Sequence, residues 1–151
     1  MLKFIQGLLN LNVALAAKVR ATTGYNEALA YHAAKDYKKA LPLMVEAAEL
    51  GSTQAMSILG SMYLLGQGVK EDGALAVKWL QRAIDGGFDD AASVLGMAYA
   101  TGKAGVTIDI PKAREMLSFA AERGDEQSSR MLVMMDNGDG IFASLKRGKR
   151  R

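Results

Sequence analysis

The sequence predicts an all-α solenoid: a superhelix of about three antiparallel helix pairs, with a capping helix at each end. Three observations predict it. First, the series Ala55, Leu59, Gly60, Tyr63, Gly66-Gln67-Gly68-Val69, Asp72, Ala76, Trp79, Ala83, Gly87 returns as Ala91, Leu95, Gly96, Tyr99, Gly102, Gly105-Val106, Asp109, Ala113, Met116, Ala120, Gly124. Second, the offset is 36 residues through Gly66/Gly102 and 37 from Gly68/Gly105 onward. One residue therefore enters between the two glycines while both flanks keep register, which stacked repeats tolerate in their loops. Third, Ala55, Leu59 and Tyr63 recur every four residues and share one helical stripe.

Composition agrees with one packed domain. The chain has 151 residues, half of them hydrophobic, enough to bury about two-thirds of its unfolded surface. No apolar run nears the roughly 18 residues of a membrane span. There is no cysteine, so disulfides and thiolate metal sites are excluded, and the single histidine, His32, cannot build a histidine cage. No cofactor, metal or small-molecule substrate is expected. Five of the 19 basic residues lie in 146–151, leaving the preceding residues with 14 basic against 16 acidic. A mildly acidic body with a basic end argues against an extended nucleic-acid-binding face.

Taken in order, residues 1–24 fit two readings. Lys3, the apolar Phe4, Ile5, Leu8, Leu9 and Val13, and the small-residue triplet Ala14-Leu15-Ala16 resemble a secretory signal. Gln6, Asn10 and Asn12 interrupt the apolar stretch, and the helical spacing of Phe4/Ile5, Leu8/Leu9 and Leu15/Val19 favours an amphipathic helix ending near Gly24. Such a helix would cover the open face of the first repeat. On that reading the protein is cytoplasmic; with a cleaved signal it is periplasmic or secreted.

Residues 25–140 form the repeat domain. Asn26 is expected to cap a helix through Ala28, Tyr31 and Ala34, with a tight turn at Lys35-Asp36 and Asp36 capping the next helix. That helix carries Ala40, Leu43 and Ala47 and holds Pro42 inside it, where a kink or an irregular first turn is expected. Ser52 caps the first helix of the second pair and Asp72 its partner, with Trp79 expected to plug the space between them. The third pair repeats this, with Pro111 in a tolerated first-turn position. A further first helix runs from Asp125 to about Asp136, where Val133 replaces the glycine and Asp136 the tyrosine. Asn137-Gly138-Asp139-Gly140 ends it, a short turn is expected from Ile141, and 141–151 form a basic tail.

These residues resemble the Sel-1-like repeat family, relatives of the tetratricopeptide repeat. Residues 55–87 match nearly every element of its pattern; 91–124 depart at the loop and at Met116; 26–51 look closer to a tetratricopeptide unit. The resemblance implies an α/α superhelix whose concave groove binds a protein partner. In bacteria such proteins serve as adaptors, host-interaction factors or immunity proteins that neutralise a secreted effector. Disulfide-rich relatives pair cysteines between helices, and this chain offers none.

Candidate chemistry is sparse, and no enzyme is expected. Gly66-Gln67-Gly68 follows a helix and lacks a lysine-serine pair, so it reads as a turn and not a phosphate loop. His32 has no carboxylate at helical spacing except Asp36 and reads as an exposed or half-buried helix residue. Met56, Met62, Met97, Met131, Met134 and Met135 read as core filling, some of them able to mould to a partner. Helical phase assigns the groove to three ladders: Gln54, Asp90, Gln127; Ser57, Ser93, Arg130; Ser61, Met97, Met134. The tail, Lys146, Arg147, Lys149, Arg150 and Arg151, offers weak, salt-sensitive contact with anionic lipid, RNA or an acidic protein.

Overall fold

A computed structural model describes residues 1–143. Its seven helices are α1 (Leu2–Ala33), α2 (Tyr37–Glu49), α3 (Thr53–Leu65), α4 (Gly73–Asp85), α5 (Ala91–Thr101), α6 (Ile110–Ala121) and α7 (Glu126–Asn137). Short 3-10 turns follow α5 (Lys103–Gly105) and α7 (Gly140–Phe142), and no strand occurs among the described residues. Consecutive helices pack as the hairpins α1–α2, α3–α4 and α5–α6, each stacked on the next, with α7 on α6. The first helices α3 and α5 also touch directly, while α2 and α4 do not approach to that extent. Closer approach on one side gives a stack of hairpins its concave face, here built from the first helices.

The same capping devices recur in each hairpin. Asp36, Asp72 and Asp109 each cap a second helix by accepting a backbone N–H, from Lys39, Leu75 and Lys112. Their own N–H groups donate to the carbonyls of Tyr31, Tyr63 and Tyr99 at 2.9, 3.0 and 3.0 Å. At the other end, Ser52, Phe88 and Asp125 donate to the carbonyls of Ala47, Ala83 and Ala120 across Gly51, Gly87 and Gly124, whose φ values are 99°, 91° and 92°. The tyrosine, aspartate and final glycine of the motif are therefore the hinges of the hairpin.

Between the two helices of a pair, the glycine of the motif sets the spacing. A Cβ on Gly60 would stand 2.6 Å from Leu80 Cγ, and one on Gly96 2.8 Å from Leu117 Cγ, each with the carbonyl of an equivalent alanine (Ala76 or Ala113) at 3.2 Å. Leu80 and Leu117 are fully buried. The side chain that plugs the hairpin is thus leucine, not Trp79 as expected. Trp79 is half-buried at the rim, with the Arg82 guanidinium 4.4 Å above its ring. The first pair carries the larger Ala28 with the more pliable Met44 at these places, both fully enclosed.

Hairpins are joined through the Gly-x-Gly loop. A Cβ on Gly68, whose φ is +74°, would lie 2.5 Å from the carbonyl oxygen of Tyr37, the first residue of α2. Gln67 Oε1 accepts from His32 Nε2 at 3.1 Å, and His32 packs edge-on against Tyr37. The half-buried histidine is a strut between repeats. In the third pair the inserted residue belongs to a left-handed turn at Ala104 (φ 55°), which reaches the start of α4. There Gly73 replaces the equivalent Tyr37, and its missing side chain leaves room for Val106 and the Ala104 carbonyl at 2.6–2.7 Å from a Cβ position. Lys103 and Glu71 pair across this joint at 3.1 Å.

Four expectations fail in the first pair. The N-terminal helix does not end near Gly24, and Asn26 caps nothing: both lie inside the 32-residue α1. Gly24 costs a helix only about 1 kcal/mol relative to alanine, and Ala21, Ala28 and the Arg20–Glu46 ion pair at 2.6 Å hold the chain straight against α2. Nor does the start of α1 cover the first repeat. At 1.5 Å per residue α1 is about 48 Å long and the 13-residue α2 only about 20 Å, so residues 1–16 extend beyond it and are exposed throughout. Pro42, meanwhile, sits within a single uninterrupted α2.

At the far end, Met135 and Phe142 are buried with Leu117 and Ala113 in a second, smaller core. Val133, at the glycine position, is 57 % exposed.

Candidate functional site

A polar cleft opens where the end of α6 meets the starts of α5 and α7. It encloses about 380 Å³ and is lined by Asp89, Asp90, Ser93, Arg123 and Asp125, together with Ala120 and Gly124. Arg123 Nε donates to Asp89 at 2.7 Å while its guanidinium stacks 3.5 Å from the centre of the Phe119 ring. Asp125 caps α7 by accepting the Ser128 N–H at 2.9 Å and the Ser128 hydroxyl. The Ser128 hydroxyl bond, helped by the Ser128 amide, Ser93 and the Gln127 amide, holds the Asp125 carboxyl below its ordinary value of 3.8. Asp90 precedes α5 without making a cap hydrogen bond and is exposed. Two carboxylates are thus occupied by internal bonds and a third is free for a partner.

The repeat explains why the cleft is here. At the preceding joint the equivalent residues are Thr53 and Gly86, and the Thr53 methyl fills the space, 2.4 Å from where a Gly86 Cβ would be. Phe88 occupies the cap position there, half-buried against the main core. Asp89 and Arg123 convert that apolar contact into an ion pair and leave an opening. Comparing Thr53 with Asp89 and Gly86 with Arg123 across repeats is the signal that locates them; the groove ladders alone include Asp90 and Ser93 but neither Asp89, Arg123 nor Asp125.

The other ladder residues are distributed along the array. Gln54 lines a separate opening of about 600 Å³ between α1 (Ala14, Ala17, Lys18) and Gly51–Thr53. Ser57 is only 8 % exposed, so it has little to offer a partner, and its carbonyl accepts the half-buried Ser61 hydroxyl at 3.1 Å. Met97 is half-buried against the second core. Gln127 is exposed. Arg130 and Met134 lie together on α7 with Ser129 and Val133 around a shallow apolar depression. The structure therefore brings together Asp90 with Ser93, and Arg130 with Met134, but makes no single pocket of all nine. The basic tail residues, Lys146 to Arg151, lie outside the described residues.

Among the described residues no group of three histidine, aspartate or glutamate side chains is arranged to hold a metal ion. Replacing Asp125 by alanine should lower stability by about 1 kcal/mol, the usual worth of a helix N-cap, or roughly 2–4 °C in Tm. Because its pKa is depressed on folding, that contribution is present above pH 3.8 and lost as the pH falls below it. The wild-type and Asp125→Ala melting curves should therefore converge in acid.

An all-α stack of capped hairpins with a polar cleft at one joint defines a helical-repeat scaffold. The Sel1 repeat family model matches residues 25–52, 53–88 and 89–125, and the chain belongs to that family. It is similar to the protective antigen c5321 of uropathogenic Escherichia coli, which displays an SLR fold: 37 % identity, TM-score 0.71, over 78 % of this chain and 26 % of that one. This chain thus spans about a quarter of that protein. A Sel1 repeat protein from Oxalobacter formigenes is similar at 30 % identity and TM-score 0.64, over 84 % of this chain and 97 % of that one. The cysteine-rich protein B of Helicobacter pylori follows at 27 % identity and TM-score 0.54, over 62 % and 69 %. No curated protein sequence matches significantly. Sel1 repeats form a non-catalytic scaffold and generally mediate protein–protein interaction.

Proposed function

We propose that this chain is a non-enzymatic binding protein that takes a partner against its first helices, with the α5–α6–α7 cleft as the anchoring point. The observation that supports the reading most is the charge of that cleft: Asp89, Asp90 and Asp125 face one arginine already paired with Asp89. A lysine or arginine side chain of the partner, inserted beside Asp90, would complete the arrangement. The neighbouring Arg130–Met134 surface of α7 would take an adjacent apolar or acidic part of the same partner. The reading places the protein among small bacterial adaptors or immunity-type proteins that silence one effector, and stoichiometry separates the two. An adaptor holds two partners at once; a neutralising protein forms one tight pair.

Co-purification from native lysate, repeated with Asp90→Arg and with Arg130→Glu, tests the assignment. Both side chains are exposed, Asp90 just before α5 and Arg130 on α7, and each reversal should weaken capture at least tenfold while leaving the fold intact. Undiminished capture by both variants rejects the cleft.

A further inference from the structure

The first half of α1 is out of keeping with water. Leu2, Phe4, Leu11, Val13 and Leu15 are exposed by 86, 71, 64, 70 and 59 %. Ile5, Leu8 and Leu9 are each about half exposed. Spread at 3.6 residues per turn, these side chains cover roughly half of the helix circumference. Between Lys3 and Lys18 there is no charge at all. A helix lying on a membrane surface carries several basic residues along its polar face; this one has Lys3, with Gln6 and Asn10. Neither α1 nor any other described helix is long and apolar enough to cross a membrane.

The unsupported part of α1 stops where a small-residue triplet stands. Ala14 and Ala17 are the first residues to meet the body, lining the opening beside Leu50–Gln54. The first ion pair is Arg20–Glu46 and the first buried side chain Ala21. Apart from Ala14 at the edge of that opening, what binds α1 to the repeats lies from Ala17 onward. A helix of this length without tertiary contacts is marginal in water, so its backbone opens readily to the extended form a peptidase takes.

We infer that residues 1–16 are a secretion leader, removed outside the cytoplasm by hydrolysis of the Ala16–Ala17 bond. Lys3 supplies the basic start, Phe4–Val13 the short apolar segment, and Ala14 and Ala16 the two small side chains that a leader peptidase accommodates. One water adds across the bond, leaving a carboxylate on Ala16 and a free amine on Ala17. The cut discards the exposed apolar side chains from Leu2 to Leu15, leaves Val19, and keeps Ala17, Ala21, Ala28 and the Arg20–Glu46 pair. The mature protein then works in the periplasm or beyond it.

The test is to express the full chain in a bacterium with an intact secretory pathway, separate the compartments, and sequence the N-terminus. Wild type should appear outside the cytoplasm beginning at Ala17. Ala16→Tyr, at an exposed position that the fold does not use, should retain residues 1–16 and stay with the membrane fraction. A wild-type chain that keeps residues 1–16 overturns the inference, whether it is found in the cytosol, as a dimer joined through α1, or bound intact to lipid vesicles.

Discussion

Leu80→Ala is expected to lower stability by about 2–5 kcal/mol, and Leu117→Ala by a similar amount, as read from urea midpoints. Both leucines are fully buried, and each lies against a glycine in the facing helix. Removing the side chain leaves a void between two helices whose backbones the capping bonds hold at a fixed distance, so the site cannot collapse to fill it. Trp79→Ala, by contrast, removes a larger side chain from the rim and should cost less than Leu80→Ala. That order reverses what residue size alone suggests.

Gly68→Ala should cost about 2–4 kcal/mol, the sum of a non-glycine residue at positive φ and of overpacking against a neighbour. The neighbour here is the backbone of Tyr37, with its carbonyl oxygen 2.5 Å and carbonyl carbon 2.8 Å from the new Cβ. Backbone yields less readily than a side-chain end, so the joint between the first two hairpins must shift. Gly87→Ala is the control: its φ is +91° but nothing stands within 4 Å of its Cβ position. It should carry only the conformational part, roughly 1 kcal/mol. Urea midpoints for the two variants measure the difference, and equal losses would mean that the loop does not bear on α2.

What was legible in the sequence follows from how local each signal is. Caps at Asp36, Ser52, Asp72, Asp109 and Asp125 involve residues at most four apart, so their positions could be read directly. The end of the first helix could not, because a lone glycine stops a helix only where no neighbour steadies it, and α2 steadies Gly24. Leu80 was hidden for another reason. Leucine is common, and only the matched set Met44, Leu80 and Leu117 marks that position as the hairpin's plug. In the cleft, Asp90 and Ser93 follow from helical phase. Asp89 and Arg123 arise where the repeats differ, and a search for what recurs passes over them.

The central claim is that near-identical hairpins are stacked, with Gly60–Leu80 and Gly96–Leu117 the same contact made twice. A double-mutant cycle tests this most directly. In the wild-type background Gly60→Ala should destabilise by about 1–3 kcal/mol, because its Cβ meets Leu80. In the Leu80→Ala background the Leu80 contact is gone and only the Ala76 carbonyl, 3.2 Å from the new Cβ, still opposes it, so the same change should cost at least about 1 kcal/mol less. The Gly96/Leu117 cycle should show the same relief, with the Ala113 carbonyl left at 3.2 Å. Additive effects in either cycle would contradict the account, since the glycine and the leucine would then not be neighbours.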